Sequence, residues 1–137
     1  MNTLDELRGG LPSSCAFCGI PKGERLHANW AGVAFLDRFP LCEGHALVVP
    51  HSHVESIFDL EEGTRSAIWE LVASVRRLLN ERFSPDGYNI GVNDGEPAGQ
   101  TIAHAHIHLI PRYANDVPDP RGGIRWVIPN RARYWEE

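Results

Sequence analysis

The sequence has no run approaching the roughly 18 to 20 consecutive apolar residues that a membrane helix needs. Residues 1–12 lack both the basic start and the apolar centre of a secretory leader. An excess of positive charge is missing too. Lys and Arg number 13 against 18 Asp and Glu, a net charge of −5, and the basic residues are scattered, which leaves no stripe for extended nucleic-acid binding by counterion release. Cysteine is scarce, with three residues, an odd number that does not close into a disulfide framework. Neither a phosphate loop ending in Gly-Lys-Ser/Thr nor a Gly-x-Gly-x-x-Gly dinucleotide turn occurs, and there is no repeat or low-complexity segment. These absences predict a cytoplasmic protein with no membrane or extended nucleic-acid partner. A small anionic ligand in a local pocket stays open.

With 137 residues, 42% of them apolar, the chain has the size of one domain and enough apolar material for a core, so residues 1–137 are expected to form a single unit. A short helix is expected over 3–8 and a turn at Pro21-Lys22-Gly23. Extended segments over 25–30, 33–37 and 46–49 are separated by short connections and read as an antiparallel meander. Asp59 followed by Glu62 resembles a capping box, and Ile68, Leu71, Val72, Val75 and Leu79 recur at helical spacing, which predicts one long helix ending near Phe83. Ser84-Pro85-Asp86-Gly87 has the composition of a tight turn before a strand over 88–92. The tail 113–137, with Pro118, Pro120, Gly122 and Gly123, is expected to be irregular apart from a locally extended stretch over 124–128. Strands outnumber helices and no helical crossovers join them, so the fold class is α+β, an antiparallel sheet with one long helix on a face.

His104, His106 and His108 alternate with apolar residues and are followed by Leu109 and Ile110. On an extended strand alternate side chains share a face, so the three imidazoles are expected to form a row, with Ala103, Ala105, Ile107 and Leu109 facing the core and Pro111 ending the strand. A neutral imidazole offers a lone pair at neutral pH, while its other nitrogen can donate to a carbonyl that fixes the ring. Cys15 and Cys18, at Cys-x-x-Cys spacing, favour metal or redox use in a reducing compartment over a structural disulfide, and supply half of a tetrahedral zinc site. Cys42 is expected to be a free, inert thiol.

The pattern His-φ-His-φ-His-φ-φ, with φ apolar, resembles the signature of the histidine triad (HIT) family. The likeness extends to Asn93-Asp94-Gly95, Gly99-Gln100-Thr101, Phe35-Leu36-Asp37 and Gly44-His45-Ala46-Leu47-Val48-Val49-Pro50, with His53 shortly after, and so covers about 15–112. It implies a five-stranded antiparallel sheet continued across a homodimer, and a nucleotide hydrolase or nucleotidyltransferase cleaving a phosphoanhydride or phosphoramidate. By the same resemblance His106 is the nucleophile of a covalent nucleotidyl-histidine intermediate and His108 contacts the phosphate. Gln100 and Thr101 contact the phosphate or leaving group, Asp37 binds the ribose hydroxyls and Asn93 faces the nucleotide. A structural zinc completed by His53 and His104 is implied as well.

Plainer readings stand beside these. Asp37 can simply end a strand, Asn93 can be a turn former, His27 and His45 read as structural or exposed, His51 as a solvated loop residue, and Trp69 as core. Trp126, in an Arg-rich tail, either packs on the surface or reaches an active site. Ala105 is smaller than the family pattern leads one to expect, Cys42 stands where a small polar residue is common, and His51 where a lysine is. Two rival functions remain: a nucleotide-binding scaffold with little turnover, and a metallohydrolase in which the three histidines ligate a catalytic ion.

Overall fold

The computed structural model describes residues 15–136, so the helix expected over 3–8 lies outside the described residues. Five strands, β1 (Arg25–Ala28), β2 (Gly32–Leu36), β3 (Ala46–Pro50), β4 (Gly87–Val92) and β5 (Ile107–Arg112), form one antiparallel sheet in the order β1-β2-β3-β5-β4. The long helix α1 (Glu62–Phe83) joins β3 to β4, and a single turn, α2 (Pro129–Ala132), lies near the C-terminus.

Strand periodicity divides the core in two. Ala34, Ala46, Val48, Ile107 and Leu109 point to the α1 side, where they meet Ile68, Leu71, Val72, Val75 and Leu79. Val33, Phe35, Leu47 and Val49 point to the opposite side, where Ile20 and Phe17 of the N-terminal segment cover them. Each fully buried aliphatic side chain in these layers is worth about 1.5 to 3 kcal/mol of transfer free energy. Gly32 permits the closest approach: a Cβ there would lie 2.4 Å from the Val49 carbonyl oxygen and 2.6 Å from Ile68 Cδ1.

Several local expectations are corrected. The acidic pair does not cap α1: Asp59 belongs to a separate one-turn 3₁₀ segment, Ile57–Asp59, whose Phe58 N–H donates to Ser56 Oγ, and Glu61 precedes α1 without a side-chain cap bond. Trp69 is 43% exposed and not core. The histidine strand starts only at Ile107, so His104 and His106 lie in its irregular approach, and Ala103 is exposed. Pro111 does not end β5, which runs to Arg112. Its register with β3 stops at Ala46–Leu109, and the Pro111 carbonyl accepts the Cys42 thiol at 3.0 Å on the side β3 has left, so the missing N–H breaks no ladder bond.

The tail is also more ordered than expected. Residues Gly123–Val127 form a 3₁₀ turn instead of an extended stretch, because Gly122 and Gly123 take φ of 95° and 49° and turn the chain back. Three stacked pairs hold the tail, with guanidinium-to-ring distances of 4.5 Å for Arg121–Trp135, 4.8 Å for Arg125–Tyr134 and 5.3 Å for Arg133–Trp126.

Candidate active site

His108 is on β5, paired in register with Leu47 of β3 and Gly91 of β4, on the sheet face away from α1. His106 precedes it by two residues and keeps to the same face, with ring centroids 5.1 Å apart. Its Nδ1 lies 2.9 Å from the His104 carbonyl oxygen. A carbonyl only accepts, so Nδ1 carries the hydrogen and Nε2 keeps the lone pair. His106 is 8% exposed.

His45 completes a second chain of bonds. The Leu41 N–H donates to His45 Nδ1 at 3.1 Å, so in the neutral ring the hydrogen sits on Nε2. That Nε2 is 3.0 Å from His108 Nδ1 and 3.5 Å from Asp37 Oδ2. Donation to His108 Nδ1 leaves His108 with its hydrogen on Nε2. The rings of His106 and His108 therefore present opposite functions, a lone pair on one and an N–H donor on the other. Burial, then the neighbouring His106 and His45, lowers the His108 pKa to about 4, and burial lowers that of His45 against the opposing pull of Asp37. Both rings are neutral at pH 7. The Asp37-His45-His108 group is close-set enough for a metal. With its Nδ1 lone pair taken by Leu41 N–H, however, His45 would have to become imidazolate to ligate one, so this cluster is a hydrogen-bond relay.

A cleft of about 1160 Å³ opens beside His108, lined by Asp37, His45, Asn93 and His108 and by Ile124, Trp126 and Val127 of the tail. Asp37 follows β2, and its Oδ1 accepts the Phe39 N–H at 3.0 Å. His106, Gln100 and Thr101 lie outside the residues lining this cleft. The Gln100 side chain braces its loop: Oε1 accepts Gly95 N–H at 2.8 Å, and Nε2 donates to the carbonyls of Glu55 at 2.8 Å and Ile102 at 3.0 Å. Thr101 is exposed at the end of that loop. Of the two readings of His45, structural or exposed, the structure excludes exposure: it is 3% exposed and bonded to His108, a link to the site that the motif alone does not reveal. Its signal was parity: His45 stands two and four residues before Leu47 and Val49, whose side chains share the histidine face.

His104 turns away from the other two. Its Nε2 is 2.9 Å from the Pro50 carbonyl oxygen and so carries the hydrogen, which leaves the Nδ1 lone pair facing Cys15 Sγ and Cys18 Sγ, both at 3.5 Å. His53 Nδ1 lies 3.3 Å from Cys18 Sγ, and the four ligand atoms of Cys15, Cys18, His53 and His104 all fall within 4.8 Å of one another. Ligands about 2.1 Å (N) and 2.3 Å (S) from a tetrahedral zinc ion stand about 3.4 to 3.8 Å apart, so the four residues fit such an ion with modest adjustment. Burial and the adjacent Cys15 push the Cys18 thiol up to about 11, the repulsion a shared dication would relieve. Because His104 faces the cysteines, the three histidines do not converge on one point, which removes the metallohydrolase arrangement. Cys42 is half-buried and bonded to Pro111; His51, exposed, has its Nε2 3.0 Å from the Asn29 carbonyl oxygen.

No helix among the described residues is long and apolar enough to cross a membrane. The family model described as "HIT domain" matches residues 26–115. Protein hit of Bacillus subtilis is 34% identical over 104 residues, 73% of this chain and 72% of its own length. The adenosine 5'-monophosphoramidase hnt1 of Schizosaccharomyces pombe is 36% identical over 72% of this chain and 74% of its own. The asymmetrical bis(5'-nucleosyl)-tetraphosphatase of the same organism is 33% identical over 77% of this chain and 59% of its own. Among solved structures, a HIT family protein from Bacillus anthracis aligns with a TM-score of 0.67 and 38% identity, covering 73% of this chain and 74% of its own. A Zn-bound histidine triad family protein from Mycobacterium smegmatis aligns with a TM-score of 0.69 and 31% identity, covering 85% of this chain and 91% of its own.

Proposed function

The chain belongs to the HIT domain family, and on that premise we propose that it is a nucleotide hydrolase or nucleotidyltransferase that cleaves a phosphoanhydride or phosphoramidate bond of an adenine nucleotide through a nucleotidyl-His106 intermediate. The observation that carries the reading is the committed tautomer of His106: Nδ1–H is spent on the His104 carbonyl at 2.9 Å, and Nε2 is left as a nucleophile that needs no separate base. Its lone pair attacks phosphorus in line while the P–O or P–N bond to the leaving group breaks, a departing amine taking its proton from solvent. His108, with its hydrogen on Nε2, donates to a non-bridging oxygen as charge builds there. Water then cleaves the P–N bond to His106 and releases the nucleoside monophosphate.

Asp37 is assigned the ribose hydroxyls, which a carboxylate accepts well, and Asn93 the adjoining part of the nucleotide. Gln100 and Thr101 are assigned the phosphate and leaving-group side, Gln100 by bracing the loop that carries Thr101. The names of two relatives, a monophosphoramidase and a dinucleoside tetraphosphatase, support phosphoramidates and dinucleoside polyphosphates as the first substrates to try; nucleotide sugars belong on the same panel. Zinc is assigned to Cys15, Cys18, His53 and His104, where it would clamp the N-terminal segment to the sheet. A homodimer that continues the sheet across its two-fold axis is part of the reading, and sedimentation at micromolar concentration should find twice the chain mass.

Enzyme quenched during turnover of adenosine 5'-phosphoramidate should carry a nucleotidyl group on His106 by mass analysis. His106→Ala should lose the adduct and at least about 10³-fold of turnover. Wild-type protein that binds AMP but forms no adduct and turns over nothing on the panel would favour the scaffold reading.

A further inference from the structure

We propose that the Cys15/Cys18/His53/His104 cluster is a positioning device for His106, so that the metal it holds sets the pose of the nucleophile as well as tying down the N-terminal segment. The inference rests on His106 being the nucleophile and follows from where β5 begins. A residue inside a sheet has its backbone fixed by ladder bonds, but β5 starts at Ile107, leaving 104–106 outside the ladder. What holds this approach is a backbone bond from Ala105 N–H to the Val54 carbonyl at 2.7 Å, together with the side chain of His104. His104 is anchored at both ring nitrogens, Nε2 on the Pro50 carbonyl at 2.9 Å and Nδ1 at the cysteine pair at 3.5 Å. Its own carbonyl is the acceptor that fixes the His106 tautomer.

A second path runs through Phe17, which the loop carries between the two cysteines. Its ring meets His106 edge-on with centroids 5.0 Å apart, and also contacts His104 at 6.0 Å and Phe35 at 5.5 Å. The loop is pinned to the cluster at Cys15 and Cys18, and the Phe17 N–H donates to Cys15 Sγ at 3.4 Å. An ion that draws the two sulfurs and two nitrogens together therefore fixes His106 from below, through the His104 carbonyl, and from the side, through Phe17. Without it, both contacts loosen while the core layer against α1, to which Phe17 does not belong, remains.

The test uses full-length protein loaded with Zn²⁺ and the same protein after chelation. Nitrogen-15 spectra of labelled histidine should show His106 as a single Nδ1–H tautomer when loaded, and a tautomer mixture after zinc removal, with circular dichroism unchanged. Phe17→Leu should keep the zinc content of wild type yet slow nucleotidyl-His106 formation at saturating substrate by roughly tenfold to a hundredfold, as a small misplacement of a reacting group does. Phe17→Tyr, which keeps the ring, should restore the rate. An unchanged tautomer in the zinc-free folded protein, or a wild-type rate in zinc-loaded Phe17→Leu, overturns the proposal. Should chelation unfold the chain, His53→Ala, which takes away one ligand and leaves the cysteine loop and His104 in place, supplies the zinc-depleted sample, and an unchanged His106 tautomer in it overturns the proposal. A wild-type enzyme that never forms the adduct sinks the nucleophile reading, and the tautomer measurement still reports whether zinc governs His106.

Discussion

An imidazole is ambidextrous, donor on one nitrogen and acceptor on the other, so its use at a phosphorus centre depends on something choosing the side. Here backbone groups choose. The His104 carbonyl assigns the hydrogen of His106, and the Leu41 N–H assigns that of His45 and, one ring further, that of His108. His45 touches no reacting atom in this scheme and acts through His108. His45→Ala should leave His108 free to adopt either tautomer and lower kcat by about 10- to 100-fold, the usual cost of losing an outer hydrogen-bond partner. KM should change less, since the donor matters most as charge develops. A fall in KM alone, or no change in kcat, would remove His45 from the relay.

Elements declare themselves in sequence when their own periodicity suffices, and stay hidden when a partner decides. The apolar positions from Ile68 to Leu79 need only a helix to share a face, and α1 is where they place it, ending at Phe83. The β2, β3 and β4 cores fall within a residue or two of expectation for the same reason. The late start of β5 is different: His-φ-His-φ-His reads as a strand throughout, but the pairing of β5 with β3 and β4 reaches back only to Ile107, opposite Val48 and Val92, and His104 is diverted to the cysteines. Pro111 within β5 depends on Cys42, far away in sequence, and the turned tail on the Arg–aromatic stacks that Gly122 and Gly123 allow, pairings that no local pattern displays. Of the candidate site, the motif pointed to Asp37 and His108, which the fold brings to one cleft, and to His106, which stands beside His108 outside the cleft lining, whereas the bond of His45 to His108 emerges only once β3 and β5 are paired. Two element-level substitutions follow. Gly32→Ala should cost about 1 to 3 kcal/mol in urea unfolding, because the added Cβ meets a backbone oxygen of β3 that has no room to retreat. Ser84→Gly should gain about 0.5 to 1 kcal/mol, since Ser84 closes α1 at φ 50° with its N–H on the Asn80 carbonyl, a position glycine takes without strain.

At the scale of the whole molecule, the site and the stability share one set of buried rings. His45 and His108 are neutral in the folded protein with pKa values below the ordinary 6.5, that of His108 at about 4, and burial is the first cause for both. Unfolding returns them to water, where they take up protons near pH 6.5. Between about pH 6.5 and 4 the unfolded chain thus binds more protons than the folded one, and stability must fall as pH falls through that window; above it the two states carry equal charge on these rings and their contribution to the slope vanishes. Thermal unfolding of the zinc-loaded protein should therefore show a Tm whose decline steepens below about pH 6.5, on top of the slope that proton uptake on zinc release already gives near neutral pH. Cluster ligands also protonate in acid, so the comparison that isolates the relay is between wild type and His45→Ala at constant zinc content. The variant removes one buried titrating ring and opens His108 to water, so its decline should be shallower than that of wild type. A parallel decline in the two proteins would mean that the acid sensitivity arises elsewhere, and would deny that the neutral, buried state of the His45–His108 pair is held at a cost in stability.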